Sequence, residues 1–71
     1  MGYVTESRLA TIGEGEGWSI ELYLMAYLDT YKPFYVLGLW DRRENRIKKS
    51  ISFAPDDMRR LRDVLNEYIR G

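Results

Sequence analysis

The chain has 71 residues, eleven basic and eleven acidic side chains, no net charge, no Cys and no His. That composition excludes disulfides and thiolate metal sites and removes the commonest metal ligand and general base. A single domain this short buries a modest core, yet 45% of its residues are hydrophobic and 14% aromatic, so a homodimer is the expected reinforcement.

Charge is unevenly placed. Arg42 to Lys49 holds five basic residues and one acid, so the rest of the chain carries four net negative charges. A basic loop on a neutral protein is still an anion-binding candidate, because screening confines surface charge to about 10 Å at 0.1 M salt. No run of about 18 apolar residues occurs, and the N-terminus lacks a charged-then-apolar signal pattern. The expectation is a soluble protein of the cytoplasm or nucleus, with no membrane partner.

In chain order, Met1 to Ile12 reads as a first strand, its alternation broken near Ser7-Arg8. Gly13-Glu14-Gly15-Glu16-Gly17 reads as a hairpin turn, since glycine reaches positive φ without steric cost, and its two acids make a poor phosphate cradle. Trp18 to Asp29 is a long second strand. Its even positions, from Trp18 through Ile20, Leu22, Leu24 and Ala26 to Leu28, are apolar. The odd positions, Ser19, Glu21, Tyr23, Met25, Tyr27 and Asp29, are polar or amphipathic. Period-two alternation marks a half-buried strand. Thr30 to Pro33 turns the chain, Phe34 to Asp41 forms a third strand, and Arg46 to Phe53 forms a fourth after the Arg42–Asn45 loop. Gly38 inside the third strand suggests a bulge, curvature or a close backbone approach. Pro55 opens a helix with Asp56 and Asp57 at its positive end. Met58, Leu61, Val64, Leu65, Tyr68 and Ile69 then form one apolar stripe toward Arg70-Gly71. The fold class is α+β: residues 1–71 as one ββββα domain, a four-stranded antiparallel sheet followed by a C-terminal helix.

Catalysis finds little support. Asp29 and Asp41 stand at strand ends, where acids are usually solvated turn residues, and no stretch has the spaced carboxylates of a calcium loop. The expectation is a non-enzyme without cofactor or metal. Binding is better supported. Single strands are held by aromatic side chains that stack bases and by cations that follow the phosphates. Trp40 directly precedes Arg42, Arg43, Arg46, Lys48 and Lys49, and Tyr27 closes the neighbouring strand. The alternatives are a Trp40 packed in the core or a dimer seam, and a basic hairpin that only guards a sheet edge.

The ordered set Gly17-Trp18, Glu21-Leu22, Tyr27, Asp29, Pro33, Tyr35, Trp40 and Lys49-Ser50-Ile51-Ser52-Phe53-Ala54-Pro55-Asp56-Asp57 resembles the single-strand-binding transcriptional coactivator family, typified by positive cofactor four and its small bacterial relatives. The resemblance implies a homodimer of curved four-stranded sheets, each backed by a helix, that binds single-stranded DNA in transcription or replication. It places Tyr27 and Trp40 where the family contacts bases, and Lys49, with Lys48 and Arg46, where it contacts phosphates. The chain departs from the family at Ile20, Leu24 and Met25, where basic residues are usual, and at Gly38, where an Arg is usual. Those departures open a second expectation, a protein-interaction or structural dimer on the same fold. Its contact surface would hold Tyr23, Met25, Phe34, Val36 and Trp40.

Overall fold

The computed structural model describes residues 4–69. Strands β1 (Val4–Gly15), β2 (Trp18–Tyr27), β3 (Pro33–Asp41) and β4 (Arg46–Phe53) precede one helix, α1 (Pro55–Tyr68). The strands form one open antiparallel sheet in sequence order, a plain meander. The expected α+β, ββββα architecture is the observed one.

The first hairpin differs from expectation. β1 runs through Gly13 to Gly15, and the turn is only Glu16-Gly17, with Gly17 at φ 80°. Met1, Gly2 and Tyr3, expected in the first strand, lie outside the described residues, as do Arg70 and Gly71 at the expected helix end. β1 slips register at two places, leaving Leu9 and Ile12 without partners on β2. Gly38 makes no bulge, because β3 pairs regularly with β2 along its whole length. The irregularity lies on β4, where Trp40 pairs with Ile47 and Lys48 is the extra residue.

Pairing sorts the side chains onto two faces. Ser19, Glu21, Tyr23 and Met25 of β2 share one face with Trp40, Gly38, Val36 and Phe34 of β3. Ile20, Leu22 and Leu24 share the other with Leu39, Leu37 and Tyr35. Alternation suggests that the leucine face is the buried one, and in a single copy the opposite holds. Ser19, Glu21, Tyr23 and Val36 are buried, while the leucines are only half-buried. The cause is size pairing: Trp40 stands beside Ser19, and the Tyr23 ring lies near Gly38, so large side chains close over small ones.

The helix opens with Ala54, whose N–H donates to the Asp57 carboxylate at 3.1 Å. It contacts only β3 and β4 and has no buried residue, so Leu61 and Leu65 of its apolar stripe stay exposed. The surface is 5898 Å², whereas a compact monomer of this mass exposes about 4,600 Å². The Cα radius of gyration is 13.8 Å, against about 11 Å for a compact chain of this length.

Candidate nucleic-acid interface

The sheet brings Tyr27 and Trp40 to one face, at opposite ends of β2 and β3. Ser19 is the strand partner of Trp40, and Tyr27 lies eight positions further along β2, roughly 27 Å along an extended strand. Trp40 is half-buried, and its indole Nε1–H donates to the Tyr23 hydroxyl at 2.7 Å. That bond fixes the indole plane and satisfies its only polar atom. Tyr27 is more open, and its ring lies 5.2 Å from Phe34, tilted by 30°. Between the two ends is an apolar hollow of about 270 Å³ floored by Tyr23, Met25, Val36 and Ile47, with Ser50 and Ser52 along β4.

A polar hollow of about 240 Å³ adjoins Trp40, bordered by Arg8, Ser19, Glu21, Arg42 and Asn45. Glu21 is 4% exposed, an unusual position for a carboxylate. The Thr11 hydroxyl lies 3.0 and 2.7 Å from its two oxygens, and an Arg8 guanidinium nitrogen lies at 3.8 Å. A buried acid with a hydroxyl donor and a cation beside it is compensated rather than stranded.

The five cations of the β3–β4 hairpin are not gathered on this face. Arg42 pairs with Glu14 at 3.0 Å, Arg46 with Glu44 at 2.6 Å, and Lys48 with Asp41 at 3.4 Å. Among the described residues, Arg43 and Lys49 form no ion pair within 4.0 Å. Lys49 is the strand partner of Leu39, which places it on the leucine face, opposite Trp40. Arg42, Arg43, Arg46, Lys48 and Lys49 are thus dispersed around the hairpin, and three of the five are paired with nearby acids. The β4 bulge accounts for part of this, because it puts Ile47 rather than Lys48 opposite Trp40.

Asp41 anchors the hairpin. Its Oδ1 accepts the backbone N–H of Arg43 at 2.9 Å and of Glu44 at 3.2 Å. The Glu44 amide foremost, with the Arg43 amide and the Lys48 ammonium, holds its carboxyl below the ordinary 3.8, against an opposing push from desolvation.

Two residues that the sequence does not single out belong to the site. Arg8 reaches the Trp40 face because it pairs with Tyr23 just before the first slip of β1. Trp18 reads as an apolar strand start, but its indole lies over Gly15, where a Cβ would stand 2.4 Å from Nε1. The alternate glycines of Gly13-Glu14-Gly15 were the available signal: inside the strand they make a bed for a ring.

Among the described residues, no group of three or more acids is placed to hold a metal ion, and no helix is long and apolar enough to cross a membrane. Comparison with protein-family models, with curated proteins and with solved structures yields no match.

Proposed function

We propose that the protein binds single-stranded nucleic acid, DNA in the first instance, as a homodimer related to the single-strand-binding coactivators and acting in transcription or replication within the cytoplasm or nucleus. One observation carries the reading: Tyr27 and Trp40 lie on the same sheet face, with an apolar hollow lined by Tyr23, Met25, Phe34, Val36 and Ile47 in the stretch between them. Stacking takes place on Tyr27, backed by Phe34, and on the accessible part of Trp40. Arg42 and Arg8 meet phosphates beside Trp40, exchanging their present carboxylate partners for the strand. Sequence preference is weak, because stacking reads no hydrogen-bond pattern. The second copy covers part of the surface that one copy exposes beyond a compact monomer, about 1,300 Å² of polar and apolar area together, where a standard interface needs about 800 Å² per partner.

The test is a tryptophan-fluorescence titration with oligo-dT and with duplex, at low and moderate salt. The expected result is quenching by the single strand alone, weakening as salt rises. Trp40→Ala should reduce affinity about 5- to 150-fold, from about 1–3 kcal/mol per stacked base. Arg42→Ala should lower the salt slope by about one. A folded protein that gives no response at low salt refutes the reading.

A second reading has its own support. Three hairpin cations are already paired, and the trough floor is Met25, Val36 and Ile47, which suits an apolar protein segment. Silence toward oligonucleotides favours this protein-interaction dimer.

A further inference from the structure

We propose that the hairpin end of the sheet holds a second site, built on Trp18 and Arg43, that takes the phosphate-bearing terminal nucleotide of a bound single strand. This rests on the function proposed above and adds to it a preference for strand ends.

The site is a cavity of about 520 Å³ bordered by Trp18, Leu39, Trp40, Asp41, Arg43 and Lys48. That volume falls within the range of small-ligand sites, roughly 300–1,000 Å³. Trp18 is 41% exposed. Its indole rests on the bare backbone of Gly15 and reaches within 4.0 Å of a Cβ position at Gly13, so one face of the ring is supported and the rest is offered outward. Arg43 is prepared in the same way. Its side chain lies on Gly17, with Nε 2.7 Å and Cζ 3.3 Å from where a Cβ would stand. Gly17 is thus required twice, by its φ of 80° and by the guanidinium above it. Asp41 is committed to two backbone amides and to Lys48, which leaves Arg43, among the described residues, as the cation at this cavity with no carboxylate within 4.0 Å.

A flat ring beside an uncommitted planar guanidinium fits an aromatic base carrying a phosphate: the ring stacks, and the guanidinium forks onto two phosphate oxygens. A cationic guest would face Arg43 and Lys48, and a neutral aromatic would leave Arg43 without an acceptor. Trp40 borders both this cavity and the polar hollow on the other face, so a strand leaving Trp40 rounds the sheet's end to reach Trp18. Glu16 also borders the cavity and opposes the phosphate.

The experiment compares short oligo-dT with and without a terminal phosphate, tested at each end separately, by anisotropy of a dye on the other end. The full chain should bind one phosphorylated form about tenfold or more tightly than the unphosphorylated oligomer. Arg43→Ala and Trp18→Leu should each bring the ratio between the phosphorylated and unphosphorylated affinities down to about one. Trp18→Phe should keep part of the difference, and Glu16→Gln should widen it. Equal affinity for all forms, with oligomer binding intact, overturns the end site and leaves the stacking face standing. Binding of thymidine monophosphate without any oligomer binding overturns the strand-end claim as well as the proposed function. If nothing binds, both fall.

Discussion

The two faces of the sheet invert the usual relation between polarity and burial. The Trp40 face carries Ser19, Glu21 and Tyr23, and these are among the most buried residues of the protein. The leucine face carries Ile20, Leu22, Leu24, Leu37 and Leu39 and is only half-covered. One face is closed from within, by Trp40 bonded to Tyr23 and by Thr11 and Arg8 gathered on Glu21. The other has no internal cover of comparable reach. Alternation along a strand tells which residues share a face, whereas burial depends on what closes over them. Apolar surface left half-open in this way is of the kind that marks an interaction site.

The largest test of that contrast is Ile51→Glu. Ile51 is exposed on β4, its strand partner is Leu37, and it sits on the leucine face. In an isolated copy the change costs within about 0.5 kcal/mol, as exposed substitutions generally do. In a dimer sealed by this face it should raise the dissociation constant at least about a hundredfold, or about 2.7 kcal/mol. Sedimentation equilibrium reads the difference, and an unchanged mass across the concentration range would remove the leucine face from the interface.

A smaller effect is expected from Gly15→Ala, which drives the Trp18 indole off its bed. Overpacking of this kind costs about 1–3 kcal/mol, the lower end applying where a half-exposed ring can swing away. Emission should shift toward the red, and the urea midpoint should fall. An unshifted spectrum means that the ring does not rest there in solution.

On the closed face, Tyr23→Phe removes the acceptor of the Trp40 indole and should cost about 1 kcal/mol in urea unfolding, with the fold retained. Stability equal to the parent would mean that water replaces the hydroxyl at no cost.

The smallest effect belongs to Asp41. Its pKa is depressed in the folded state, so its contribution is present above the unfolded carboxylate's value of about 3.9 and is lost as pH falls through the lower folded value. The difference in urea midpoint between the parent and Asp41→Asn should therefore shrink as pH is lowered from about 6 to about 2. A difference that stays constant over that interval would detach Asp41 from the hairpin.

Much of the fold was legible. The even–odd split of Trp18 to Tyr27 marked β2, and Pro55-Asp56-Asp57 with the stripe from Met58 marked α1. The first hairpin was misplaced because Gly13 and Gly15 look like turn residues, and only the position of the Trp18 ring explains them inside a strand. Tyr27 and Trp40 were legible as candidates, but their common face required the register Ser19 to Trp40. The hairpin charges were the hardest to read. Glu14 lies 28 residues before Arg42, and the parity of Lys48 and Lys49 turns on one bulge. Neither long-range pairing nor a single-residue slip leaves a local mark in composition.

An open sheet ends in two edges, each able to template another strand and so to lengthen into a fibre. Here both outer strands are interrupted: β1 slips register twice, stranding Leu9 and Ile12, and β4 carries its extra residue at Lys48. A neighbouring copy laid along either edge would lose its ladder within a few residues, and on β4 it would meet a lysine at the break. The same irregularities thus discourage growth of the sheet along either edge.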